Sequence, residues 1–584
     1  MFIMKITSVT ITLISLVEFV FCISITFGQS TDTLLVPAYP PGALNEVIHR
    51  DTLATGEQAH TVYVLQQNSE VDTIYYITEE LRVKNLTIVG KNNPVTGFPP
   101  VIAPFINYDN SSPDNIAIAI DNGFINFKNL YLLGTRADGS QVTSQCVSTS
   151  DSCHLIMENC IFENFGSTGT PNILNTWNAI GSDIFVTNCL FRNNQSNIPQ
   201  SPGMNWAGPG VFAIDTMIVR NSTFFVLGGI IEGSGSSMGY LEFDHNTIFM
   251  QTQSSPFAMR QMFNAKITNN IFYSVYSAGL DSMHAYGGPG ISSIYTWKPG
   301  ILMLDSLYSD LEGDPYFFTE ADRNIEAVNN AYFWPQAIRD NFDTLNNDPK
   351  YQIVGGKIYA PVWATTRPGA EGILTDRDSW PGIDVYTNND SIDPGFNPAL
   401  VAAASDSMSR FVRHLWENGG DGEGSKPFVY LSDPNNMFTD VADNWAEIQN
   451  YPVPENLRYS NQVLTEAGTD GLALGDLNWF PEKMPTSVFT QKNITLPVEF
   501  YLSQNYPNPF NATTTIHYYL PEKSNVSLKV FDLLGREVTN LVEERKLAGK
   551  YSIIIDGSSL SSGIYFYQLK SANFVETKKM LLIK

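Results

Sequence analysis

The chain has 584 residues and a formal net charge of −25, long enough for several domains or one repetitive array. So acidic a chain repels nucleic acid, and repels anionic glycans unless cations bridge the two. Beyond the first thirty residues only four cysteines remain, Cys146, Cys153, Cys160 and Cys189; an even number permits disulfides after export, and the absence of CxxC or Cys/His spacing argues against zinc.

At the N-terminus, Lys5 precedes an apolar run from Ile6 to Phe27, broken by Glu18, and the small residues Gly28 and Ser30 bracket Gln29. This reads as a secretory signal peptide over residues 1–29. Glu18 makes the run a poor permanent anchor, because a carboxylate in mid-membrane is costly. No later stretch has the 18 or more apolar residues of a span, so no transmembrane segment is expected once the signal is removed. Residues 30–499 carry 23 Lys and Arg against 51 Asp and Glu, a net of −28. That balance suits solubility outside the cell, and oxygen-rich sites for calcium are the sharper reading.

The body, residues 30–485, is governed by a repeat. Phe127-Lys128-Asn129-Leu130-Tyr131-Leu132 returns as Met157-Glu158-Asn159-Cys160-Ile161-Phe162 and as Val186-Thr187-Asn188-Cys189-Leu190-Phe191. The central residues are Asn85, Asn129, Asn159, Asn188, Asn221, His245 and Asn269, with a weaker copy at Asn329. Their spacing shortens to 24 and then opens to 60. A period in the twenties with short strands indicates a β-solenoid, with clear rungs over 80–275 and a less regular part over 300–481. Asn suits a bend because it tolerates left-handed backbone and its amide can bond to the next rung. The pattern resembles pectate-lyase-like proteins, and the resemblance implies an all-β, right-handed parallel β-helix with a ladder of buried Asn side chains. Cys160 and Cys189 then fall on consecutive rungs about 5 Å apart, leaving Cys146 and Cys153 as the other pair.

Farther on, apolar residues from Leu400 to Trp416, ended by Gly419-Gly420, predict one helical excursion over 397–418. Gly313 to Phe317 and Asp393 to Phe396 resemble turns that follow rungs in exported β-helix proteins. Gly468 to Pro481 resembles the closing segment of surface β-helix proteins. Residues 486–499 read as a linker.

The last 85 residues contain Leu502-Ser503-Gln504-Asn505-Tyr506-Pro507-Asn508-Pro509-Phe510-Asn511, then Val530-Phe531-Asp532-Leu533-Leu534-Gly535-Arg536-Glu537-Val538, then Ser562-Gly563-Ile564-Tyr565-Phe566-Tyr567 and a basic end. Residues 500–584 resemble the type A C-terminal sorting domain of the type IX secretion system. The resemblance implies export through the outer membrane, to the surface or the medium, with the secretion machinery as partner. Short β-rich runs at Thr513 to Leu520, Val526 to Phe531, Lys550 to Ile555, Ile564 to Leu569 and Lys578 to Ile583 predict a small β-sandwich.

Chemistry is harder to read. The residue before each repeated Asn should point outward, giving the column Lys84, Lys128, Glu158, Thr187, Arg220, Asp244 and Thr268, with Glu242 on the same face as Asp244. A polysaccharide lyase on this scaffold would use Arg220 as the proton-abstracting base, with Glu158, Glu242 and Asp244 holding calcium against a uronate. An ordinary charge ladder on a non-catalytic glycan-binding or adhesion protein is the other reading. Asp281, His284 and Tyr286 form an alternative loop site, and 419–424 a candidate calcium loop. Asp-Ser/Thr followed by an apolar residue, as at Asp215-Thr216-Met217, resembles an O-glycosylation signal. On either reading the expected partner is extracellular polysaccharide.

Overall fold

The computed structural model describes, with short breaks, residues 33–104, 118–134, 145–275, 300–304, 324–347, 362–366, 383–417, 428–440, 455–484 and 501–583. They fall into two compact units, the larger ending at Met484 and the smaller holding the described residues from 501 onward. The N-terminal apolar run, the loop with Asp281 and His284, the Gly313 turn and residues 419–424 lie outside the described residues.

The larger unit is a parallel β-helix with three faces. The first face includes Gln145–Ser150, Asn172–Asn178 and Asn205–Ala207. The second includes His154–Glu158, Ser182–Thr187 and Gly210–Arg220. The third stacks Tyr131–Leu133, Ile161–Glu163, Leu190–Asn194, Thr223–Leu227, Thr247–Gln251, Ile271–Tyr273 and Ala331–Phe333. Long strands such as Ile118–Lys128 and Ile231–Asp244 serve the first face with their N-terminal halves and the second with their C-terminal halves.

Alternation explains the tube. On the second face Leu155, Met157, Ile184, Val186, Met217, Val219, Leu241 and Phe243 are buried inward. On the third face Phe162 stacks on Phe191 at 4.9 Å, and Phe191 on Phe224 at 5.0 Å. The corner between these faces needs left-handed backbone. Asn129, Asn159, Asn188, Asn221, His245, Asn269 and Asn329 supply it, with φ between 50° and 59°. The interval of 60 residues holds one rung with a long excursion. Its strands are Gly300–Leu304, Asn324–Val328 and Ala331–Phe333. A further rung follows through Val362–Thr366, Ile383–Thr387 and Asp390–Ser391.

Two expectations about the repeat change. Asn85 is not a corner: it pairs with Phe124, and Val89 pairs with Lys128, so Gly90 stands beside Asn129. A Cβ at Gly90 would lie 1.8 Å from the Asn129 carbonyl oxygen, so the close approach of this strand to the Asn129 corner requires glycine there. The buried ladder is also one residue later than the repeated Asn. Asn246 Nδ2 donates to Asn270 Oδ1 at 3.2 Å, and Asn270 Nδ2 to Asn330 Oδ1 at 2.9 Å. Their amides also reach the carbonyls of Val219, Phe243 and Ile267. The same inward column holds Leu130, Cys160, Cys189 and Ser222 in earlier rungs, all buried. Cys146, Cys153, Cys160 and Cys189 are all buried, and the expected disulfides are not formed among them.

The third face is covered from outside. α1 (Ala43–Asp51) packs beside Ile74–Ile77 near the start of the tube, whereas α2 (Gln336–Asn347) and α3 (Pro398–Glu417) contact each other. α3 fulfils the predicted excursion, with Pro398 at its first position and Asn397 capping the Ala399 amide at 3.0 Å. An outward aromatic column, Phe225, Phe249 and Tyr273, stacks at 5.2 Å per step and meets Phe396 edge-on. Residues 467–479 then run along the corners as a strap. Asn329 Nδ2 donates to Ala467 O, Asn269 to Thr469 Oγ1, and the Leu477 amide to Asn221 Oδ1. His245 Nε2 lies 3.1 Å from Asp470. Asp476, buried, accepts from Thr223 at 2.6 Å, and its amide donates to Thr247.

The smaller unit is a β-sandwich. Three strands (Tyr501–Leu502, Thr513–Leu520, Gly549–Asp556) and four strands (Glu537–Lys546, Ser524–Phe531, Gly563–Ser571, Phe574–Leu582) form antiparallel sheets. They share a core that includes Ile516, Tyr518, Leu528, Val530, Tyr567 and Leu569. Besides the two-residue strand Tyr501–Leu502, Glu537–Lys546 is the strand that the sequence pattern misses. It is an edge strand dense in charge, which protects an open edge and erases the alternation that marks a strand.

Candidate functional site

The exterior of the second face is the surface that repeats and stays partly open. Its rows are in register: Lys128, Glu158, Thr187, Arg220, Asp244 and Thr268 stand opposite one another rung by rung. A second row runs Ile156, Phe185, Ile218, Glu242 and Lys266, and a third His154, Asp183, Thr216, Tyr240 and Asn264. Each row exists because side chains alternate along the strands while the left-handed corner fixes the register.

The charges on this face are matched locally. Lys128 Nζ reaches both oxygens of Glu158 at 2.9 Å. Arg220 Nε donates to Glu242 Oε1 at 2.6 Å, and Tyr240 donates to Glu242 Oε2 at 3.2 Å. Thus Arg220 pairs with Glu242, not with the directly opposite Asp244. Asp244 instead accepts from Thr268 at 2.6 Å and from Asn269 at 2.8 Å. Desolvation pulls the Arg220 guanidinium down, but Glu242, with Asp244 and Tyr240, outweighs it and raises the pKa above the ordinary arginine value. Burial, reinforced by Glu242, lifts the Tyr240 hydroxyl to about 12.

The structure brings Arg220, Glu242 and Asp244 together within two rungs. It leaves Glu158 two rungs from Arg220, about 10 Å away. Among the described residues no group of three or more His, Cys, Asp or Glu side chains is placed to share a metal ion. Glu158, Glu242 and Asp244 therefore do not converge as a calcium shell here.

Two residues that the repeat motif did not expose complete the face. His154 Nδ1 lies 3.0 Å from Asp183 Oδ2, at an angle outside hydrogen-bonding geometry. Both precede their corner Asn by five residues, so an outward column read five positions back would have found them together with Tyr240. Ile156 and Phe185 lie between the two groups of ion pairs and are each 8% exposed.

Among the described residues no helix is long and apolar enough to cross a membrane. Residues 504–584 match the family model for the secretion system C-terminal sorting domain. No curated protein and no solved structure matches the chain. The β-helix assignment therefore stands on the geometry above, and the destination stands on the terminal sandwich. The sorting domain makes this chain a cargo of the type IX secretion system, routed through the outer membrane to the cell surface or the medium.

Proposed function

We propose that the exported β-helix binds extracellular polysaccharide along its second face without cleaving it. The observation that carries this reading is the local pairing of charge, Lys128 with Glu158 and Arg220 with Glu242, on stacked rungs. Such a face offers hydrogen-bond donors and acceptors at a regular repeat. The half-buried Ile218 and Tyr240 lie beside them to pack against the C–H face of a sugar ring. It carries little unpaired charge along these rungs with which to capture a polyanion. A guanidinium held charged by Glu242 is also poorly suited to take a proton.

The second reading is a calcium-dependent lyase with Arg220 as base and Glu242, Asp244 and Glu158 as metal ligands. It is favoured by the closeness of Arg220, Glu242 and Asp244, and it requires Glu242 to leave Arg220 for the metal.

One experiment separates the two. Purified protein is co-sedimented with a panel of insoluble neutral and acidic polysaccharides, and the supernatants are read for unsaturated uronide in calcium and in chelator. The binding reading expects retention on a neutral glycan, weakened at least about tenfold in the double variant Arg220→Ala, Tyr240→Ala, with no uronide released. Calcium-dependent uronide release, lost in Arg220→Ala, would replace binding with the lyase. Retention that ignores both substitutions would remove the face from the site.

A further inference from the structure

We propose that a cavity in the outer cover, away from the second face, is a separate pocket for a single neutral sugar unit. The cavity has a volume of about 720 Å³ and lies where the starts of α2 and α3 meet the loop at Asp393 and the segment from Asn456 to Ser460. That size lies within the range of small-molecule sites. It is built by the cover, so nothing in the rung repeat predicts it.

The lining selects the ligand by charge. An anion would face the Asp393 carboxylate, one oxygen of which holds the Gly395 amide at 2.9 Å. A cation would face the first turns of two helices, whose amides carry partial positive charge. Arg458 does not tip this balance. It is paired with Glu482, donates to the Trp479 carbonyl at 3.3 Å, and sits 4.8 Å over the Phe480 ring. A neutral ligand meets neither penalty.

The lining also offers both halves of a sugar's chemistry. Pro335, Phe396, Pro398 and Val401 give an apolar wall for C–H groups. Asp393 and Asn456, both exposed at the mouth, give an acceptor and an amide for hydroxyls. Ser405 adds an independent sign. It lines the cavity, is 1% exposed, and its hydroxyl has no hydrogen-bond partner among the described residues. A buried hydroxyl left unpaired is costly, and a ligand hydroxyl or a water would relieve it. Tyr273 lines the same cavity, and its hydroxyl, with a pKa raised by burial and by Asp393, stays protonated at any physiological pH.

The test titrates the full chain calorimetrically with glucose, galactose, mannose and N-acetylglucosamine, and with glucuronate and glucosamine as charged counterparts. Ala402→Trp fills the cavity from an exposed rim position, and Asp393→Asn removes the acceptor charge with little change in shape; thermal melts verify that both variants fold. The expected result is saturable binding of at least one neutral sugar, weakened at least about tenfold by Ala402→Trp and measurably by Asp393→Asn. The absence of saturable binding, affinity untouched by Ala402→Trp, or preference for a charged counterpart would overturn the pocket. Polymer retention lost in Arg220→Ala, Tyr240→Ala but kept in Ala402→Trp belongs to the second face, so the two proposals fail separately.

Discussion

Arg192 and Arg220 both point away from the tube, from the third and second faces, and their surroundings give them opposite roles. Arg192 is 0% exposed. It makes a bidentate contact to Glu455 at 2.8 and 2.9 Å, and a second contact to Glu163, which also accepts from Tyr131. Arg220 has a side chain 46% exposed and one carboxylate partner, Glu242. Where the cover lies over the tube, charge is taken out of water and must be fully matched. Where the tube is bare, charge stays solvated and available to a ligand. The same solenoid thus devotes one outer surface to closure and offers another for recognition.

The sharpest way to break this contrast is to remove each arginine. Arg192→Ala leaves Glu163 and Glu455 buried without their cation, and should destabilise the larger unit by about 3–5 kcal/mol in denaturant unfolding. A loss near 1 kcal/mol would show that water reaches the pair and that the cover is loosely seated.

A second test is pH. Burial raises Glu163, with Arg192 opposing and Glu455 and Asn193 as the other neighbours, to about 7. Burial also raises Asp476, against its bonds to Thr223 and Asn478 and the nearby His245, to about 7. Both folded values exceed the unfolded ones, so their stabilisation is full below the ordinary carboxylate range and is lost as pH climbs to about 7. His245 is also raised: burial lowers it, but Asp470 and Asp244 outweigh that, so its contribution is full below its unfolded value and is lost as pH rises further. Asp470 acts oppositely. Burial raises it, but its bonds to His245 and Leu472 prevail and leave it lowered, so its share is lost as pH falls through its folded value. The strap should therefore exchange its amide protons more slowly at pH 5.5 than at pH 8, after correction for intrinsic exchange rates. Asp476→Asn should flatten that difference. Equal protection at both pH values would mean that the strap is not held through these groups.

The smallest effect belongs to the open face. Arg220→Ala should shift stability by about 0–1 kcal/mol, the usual range for a partly exposed ion pair, while abolishing most glycan retention. A large stability loss would class Arg220 with Arg192.

This contrast also marks what the sequence makes legible. The corners are plain because seven positions must adopt left-handed backbone, and only a few residue types do so readily. Asn85 imitates that signal through its apolar neighbours, while Gly90, the strand residue that stands beside the first left-handed corner at Asn129, carries no side chain to recognise. The ladder hides because its column changes chemistry, from Leu130 through Cys160, Cys189 and Ser222 to Asn246, Asn270 and Asn330. Arg220, Glu242 and Asp244 share a face as the alternation implies, whereas which carboxylate takes the guanidinium depends on side-chain reach. The cover is the least legible part. Nothing near Arg192 indicates a partner 263 residues away, and Phe249 and Tyr273 look solvent-facing until Phe396 meets them edge-on.

That distance has a kinetic side. Rungs close contacts over intervals such as 24, 30 or 33 residues, whereas the strap closes Thr223 to Asp476 and His245 to Asp470 over 253 and 225. Local pairings form early and distant ones late. The tube can wind as the chain emerges, but its outer aromatic column stays bare until the residues up to Met484 arrive. A chain whose cover has not yet folded back is then a finished spring with one greasy side, prone to stick to its own kind. Sealing this flank therefore requires the whole of the larger unit, up to Met484.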